Sequence, residues 1–153
     1  MAAAHSDYAF ERDLAFLLVD AGRKLNDTYD LHMKPLGLTR SQWRVMAYVS
    51  RYPGISQSEL AQDIELTRMA ITGLLDRMSD KGLIDRRLVK TDRRMKAVFL
   101  SKKGEALVKQ MNSTAVQVLK QVFANTTNKE RKLLRDVLET IKTNTTETKV
   151  LDA

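Results

Sequence analysis

A chain of 153 residues with 43% hydrophobic side chains is long enough to bury one compact core, and the lack of cysteine excludes disulfides, thiol redox switching and sulfur-rich zinc sites. The two histidines, His5 and His32, are too few to build a metal site alone; neither a leader pattern nor a run of about eighteen apolar residues occurs, so a cytoplasmic location is expected. The formal charge of +7 lies wholly between Lys81 and Lys103, where nine Lys or Arg stand against Asp85 and Asp92, and basicity gathered in this way is the footprint of phosphate contact.

Residues 1 to about 6 lack periodicity and are expected to fray. From Asp7, the spacing of Phe10, Leu14, Leu17, Leu18, Ala21 and Leu25 predicts a helix to about His32, ended by Pro35 and Gly37. At about seven turns it is longer than a small core can cover. Thr39 and Gln42 form a capping box for a helix that buries Trp43, Met46 and Ala47, with Val45 and Val49 beside them, and that Pro53 and Gly54 stop. A second box, Ser56 with Glu59, opens a short helix from about Gln57 to Ile64. Glu65 and Leu66 connect it to Thr67, which caps a helix with Ile71, Leu74, Leu75 and Met78 at i, i+3, i+4 and i+7.

Gly82 takes the left-handed position after that helix, and Leu83 and Ile84 begin an extended segment to about Val89. Lys90 to Arg94 read as a turn and Met95 to Leu100 as the return strand. Ser101 caps a helix to about Ala124 with Leu107, Met111, Thr114, Val118, Leu119, Val122 and Phe123 along one side. Thr127 with Glu130 caps a last helix bearing Leu133, Leu134, Val137, Leu138 and Ile141, and after Lys142 threonine and charge predict fraying. The fold class is mainly α with a small β-hairpin: a winged helix-turn-helix lobe at 35–100 between helical regions at 1–34 and 101–153. The surplus apolar stripes of those regions predict an isologous homodimer.

That order of elements is suited to double-stranded DNA. The expected DNA-facing residues are Ser56 and Gln57, then Thr67, Arg68, Met69, Thr72 and Arg77 on the second helix, and Arg86, Lys90, Asp92, Arg93 and Arg94 on the wing. An arginine on a narrow hairpin fits the negative potential of a minor groove, and Asp92 can orient Arg94. Charged hairpin edges also block unwanted strand pairing, and a winged helix can serve instead as a protein-interaction module without specific DNA binding. Binding to random duplex at low salt separates those readings. No glycine-rich phosphate loop, HExxH pattern or triad spacing occurs, so neither an enzyme nor a cofactor is expected.

The stretches MKPLGLTRSQWRVM at 33 to 46, SQSELA at 56 to 61, LLDRMSDKGLIDRR at 74 to 87 and TDRRMKAVFLSKKG at 91 to 104 together resemble the MarR family of transcriptional regulators, and within it the SlyA-like branch. The resemblance implies a homodimer on a pseudo-palindromic operator, with a small aromatic carboxylate or phenolic effector in a cleft between the dimerisation helices and the DNA-binding lobe. Arg23, Tyr29, His32 and Trp43 are candidates for that cleft, while a plainer reading makes Tyr29 and Trp43 core residues and Arg23 a solvated side chain. Relatives in the SlyA-like branch often carry an arginine where this chain has Gly73, and its absence moves the expected base reading to Arg68 and Thr72.

Overall fold

The computed structural model describes residues 3–89 and 92–146, with side chains described within 9–88 and 96–146. Two compact units divide the chain, the first ending at Leu119 and the second beginning at Lys120. In order, the first contains helix α1 (Ala3–Met33), a 3-10 turn at Lys34–Leu36, α2 (Arg40–Arg51), strand β1 (Ile55–Ser56), α3 (Gln57–Asp63), α4 (Arg68–Asp80), β2 (Ile84–Val89), β3 (Asp92–Leu100) and most of α5 (Lys102–Val122). The second holds the end of α5 and α6 (Asn128–Thr146).

The three strands form one antiparallel sheet in the order β1-β3-β2. The strand β1 is additional to the hairpin read from sequence: Ile55 and Ser56 pair with Val98 and Ala97. Two residues are too few to show a period, and their pairing partners lie about forty residues away. The return strand also begins at Asp92, earlier than Met95, because Val89 pairs with Asp92 after a register shift between Leu88 and Val89. Lys90 and Thr91 lie outside the described residues.

Helix bounds differ from expectation mainly at the ends. The first helix starts at Ala3, where alanines with high helix propensity precede Asp7, and the last continues through Thr146. Within α2 the inward face is Gln42, Trp43, Val45, Met46 and Val49, whereas Ala47 is exposed. Gln42 tolerates burial because the capping box with Thr39 occupies its amide oxygen and backbone N–H. All three capping boxes form, with Ser56–Glu59 at α3 and Thr127–Glu130 at α6. Met46, Leu60, Ile71, Leu75, Met78, Ile84 and Val98 are fully buried in one core spanning α2, α3, α4 and the sheet. Each such side chain contributes about 1.5–3 kcal/mol by leaving water.

The ends of α3 and α4 are closed with borrowed groups. At α3 the N–H of Leu66 reaches the carbonyl of Ala61 at 2.9 Å and that of Glu65 reaches Gln62 at 3.1 Å, with Glu65 left-handed at φ 58°. This is a Schellman cap, which leaves the carbonyls of Asp63 and Ile64 open. Arg44 of α2 donates to both, at 3.0 and 3.1 Å. At α4 the same pattern recurs around Gly82, at φ 69°, with Gly82 N bonded to Ser79 O and Leu83 N to Met78 O. There the start of α5 supplies the donors: Ser101 Oγ to Gly82 O at 2.5 Å and Lys103 Nζ to Lys81 O at 2.8 Å.

Gly104 permits this docking. A Cβ built on it would lie 2.1 Å from the backbone oxygen of Leu83, which is the acceptor for Ser101 N. Gly104→Ala should therefore destabilise the protein by about 1–3 kcal/mol despite alanine's better helix propensity, because backbone must separate from backbone. Urea unfolding measures it, and an unchanged or raised midpoint would show that α5 does not seat as described.

Candidate nucleic-acid interface

The exposed face of α4 begins at Thr67, whose hydroxyl accepts from Ala70 N at 3.2 Å and is thereby used as the cap. Arg68 and Arg77 carry guanidiniums with no hydrogen-bond or ion-pair partner among the described residues, and Met69 is 85% exposed. Thr72 is more committed than its position in sequence suggested. Its hydroxyl donates to Arg68 O at 2.8 Å and accepts from Gln57 Nε2 at 2.7 Å, so α3 and α4 share one polar contact at their crossing. The other amide atom of Gln57, Oε1, is buried without a partner.

Ser56, expected to face DNA, is buried and spends its hydroxyl on Glu59 N. Arg86 is also engaged, with Nη2 2.5 Å from Asp76 Oδ1, which ties β2 to the exposed side of α4. This pair offsets one of the two acids on that face, the other being Asp80 at its C-terminal end. Its neighbour Arg87 lies 4.6 Å from the ring centre of Phe99, with Asp85 at 3.9 Å. Of the wing residues, Lys90 falls outside the described residues, and Asp92, Arg93 and Arg94 belong to β3 with their side chains outside them.

An open groove of about 550 Å³ runs along this side, lined by Gln57, Ser58, Gln62, Arg68, Thr72 and Lys96 among others. Lys96 was not singled out in sequence. Its signal was membership of the basic cluster on the return strand, exposed opposite Leu88.

The four candidate effector residues separate into two pairs. Tyr29 and Trp43 pack with ring centres 5.3 Å apart and planes tilted by 39°, and line a cavity of about 410 Å³ with Met33, Ala47, Ser50, Arg51, Val108, Met111, Asn112 and Ala115. Arg23 is not on that wall: it lies 3.3 Å from Asp20 and 3.7 Å from Asp27 on its own helix. Nor is His32, whose Nδ1 is 2.8 Å from Thr28 O. The cation on the wall is Arg51, eight residues after Trp43 on the same side of α2, with Nε donating to Tyr52 Oη at 2.9 Å.

Trp43 is held from behind. Its indole N–H donates to Asp30 Oδ1 at 2.7 Å, while Arg40 reaches Asp30 Oδ2 at 2.6 Å and Asp27 Oδ1 at 2.5 Å. Desolvation pushes Asp30 upward, but the bonds from Arg40 and Trp43 and the Arg40 charge together outweigh it and hold the carboxyl below its ordinary range. The carboxylate is thus an ionised anchor between α1 and α2.

The helix order, antiparallel sheet and basic strand pair define a winged helix-turn-helix protein. Residues 36–95 match the model of the MarR family. The chain is similar to the transcriptional regulator PA3341, with 28% identity over 88% of this chain and 99% of that one and a TM-score of 0.80. It is similar also to a mutant MarR from E. coli complexed with operator DNA, at 25% identity over 84% and 93% with a TM-score of 0.70. The transcriptional regulator SlyA shares the fold, at 22% identity over 88% and 95% and a TM-score of 0.74. Among the described residues no helix is long and apolar enough to cross a membrane.

Proposed function

We propose that this chain is a MarR-family transcriptional regulator, a cytoplasmic homodimer that binds a pseudo-palindromic duplex operator. The observation that carries the reading is the exposed face of α4, where Arg68 and Arg77 have no hydrogen-bond or ion-pair partner among the described residues and Asp76, one of its two acids, is paired with Arg86. An operator-bound relative of 25% identity supports it, and the motifs at 74–87 and 91–104 support the SlyA-like branch within it. In this reading residues 35–100 are the DNA-binding lobe and 1–34 with 101–153 the dimerisation region. Arg93 and Arg94 enter a minor groove, Asp92 orients Arg94, and Lys90 meets a phosphate.

Replacing Arg94 with Ala should weaken duplex binding and make its dependence on log salt shallower by about one unit. Unaltered affinity and slope would remove the wing from the interface. Failure of the parent protein to bind any random duplex at low salt would leave the basic wing to an acidic protein partner.

The homodimer rests on apolar stripes left uncovered in the single chain: Phe10, Leu14, Leu17 and Leu18 on α1, and Leu133, Leu134, Val137, Leu138 and Ile141 on α6. Burial of such stripes by a second copy is the ordinary remedy. Sedimentation equilibrium at micromolar concentration should give a dimer, and a monomer would refute it.

A small aromatic or phenolic anion fits the cavity faced by Tyr29, Trp43 and Arg51, and its release of DNA is part of this proposal. Arg51 replaces Arg23 and His32 as the cationic contact. Salicylate should dissociate the operator complex at concentrations where an aliphatic carboxylate of equal ionic strength does not, and Arg51→Ala should blunt that difference. If both acids act alike, ionic screening explains the release and the cavity is not the sensor.

A further inference from the structure

We propose that Arg77 is the base-reading arginine of α4, and that Gly73 is the opening that admits it; the inference rests on the duplex-binding reading above. With Ile71, Leu74, Leu75 and Met78 buried, a 100° step per residue puts Met69, Gly73, Asp76 and Asp80 along the middle of the exposed face. Arg68 and Thr72 fall to the flank nearest α3, where both line the groove and the Thr72 hydroxyl is held by Gln57. The two residues that sequence favoured are therefore not central. The middle of the face holds an exposed methionine, a glycine, an aspartate already paired with Arg86 and, at its C-terminal end, the exposed Asp80.

Nothing in the fold itself calls for glycine at 73. Its φ is not in the left-handed range, and a Cβ built there meets no backbone and no core atom within 4 Å. It meets one thing, Nη1 of Arg77 at 3.4 Å. A helical side chain leans back over the residue four positions earlier, so the Arg77 fork lies across the bare patch at the centre of the face. That guanidinium has no hydrogen-bond or ion-pair partner among the described residues. A planar fork of unsatisfied donors at the middle of a groove-facing helix matches the N7 and O6 acceptors of guanine. Of the other helical glycines, Gly104 is required by backbone contact, while a Cβ on Gly22 would meet nothing within 4 Å; at Gly73 the one neighbour is the Arg77 guanidinium.

The test is selection of bound fragments from random duplex DNA by the parent protein, Arg77→Lys and Gly73→Ala, with thermal unfolding of all three. The parent should select a motif with guanine at a symmetric position in each half-site. Arg77→Lys keeps the charge but not the fork, so binding to random duplex at low salt should stay within about twofold while preference for that guanine falls by about 5- to 150-fold. Gly73→Ala should raise Tm, as alanine does in a helix, and yet relax the same position. Loss of affinity for selected and random duplexes alike in Arg77→Lys would make Arg77 a phosphate contact and overturn the assignment. A motif retained in both variants would overturn it as well. A parent protein that binds no duplex at all would sink the underlying DNA-binding reading instead.

Discussion

One guanidinium sets the angle at which α4 is presented. After α3, Glu65 turns the chain through a left-handed residue that costs about 1–2 kcal/mol, and the cap it forms satisfies Ala61 and Gln62 while leaving two carbonyls. Arg44 takes both, at 3.0 and 3.1 Å, with its side chain only 17% exposed. The Ile64 carbonyl is part-buried, and left without a partner it would cost about 1–3 kcal/mol, so the fork offsets the strain of the turn and fixes its geometry together. The far end of α4 has the same logic with different donors. Ser101 and Lys103 close it, and α5 can deliver them because Gly104 lets the helix touch the Leu83 carbonyl.

Charge on this face is organised by subtraction. Asp76 is held by Arg86 and Asp85 lies 3.9 Å from Arg87, so these two acids are offset within the protein. Exposed pairs of this kind add about 0–1 kcal/mol to stability. Their larger effect is on the potential: a free carboxylate at the middle of α4 would repel a phosphate backbone and compete for Arg77. Lys96 and Arg68, facing the same groove, have no ion-pair partner among the described residues and leave it positive.

Local chemistry made most of the fold legible. The three capping boxes, the left-handed Gly82 and the heptad-like burial of α4 are each determined within about seven residues, and each was readable in order. What escaped depends on groups far apart in sequence. The pairing of β1 with β3, the fork of Arg44 onto residues nineteen and twenty positions away, and the indole bond of Trp43 to Asp30 thirteen positions back have no local signature. The cleft shows the same division. Tyr29 and Trp43 line the cavity while belonging to the core, as the plainer reading had them; Arg23 is consumed by its own helix, and Arg51 was hidden because its place on the wall depends on what α5 sets opposite it.

The cavity and the caps of the helix-turn-helix share their supporting helices. Ala47, Ser50 and Arg51 on its wall belong to α2, the helix whose Arg44 closes α3, and Val108 and Met111 belong to α5, the helix whose first turn closes α4. A displacement of α2 against α5 at the cavity would therefore reach the turn before α4 through Arg44 and the far end of α4 through Ser101 and Lys103. Behind it, Asp30 resists one such displacement by binding Arg40 and Trp43 at once, which ties α2 to α1 through an ionised group. An occupant of the cavity changes the presentation of α4 only to the extent that it binds one spacing of α2 and α5 better than the other.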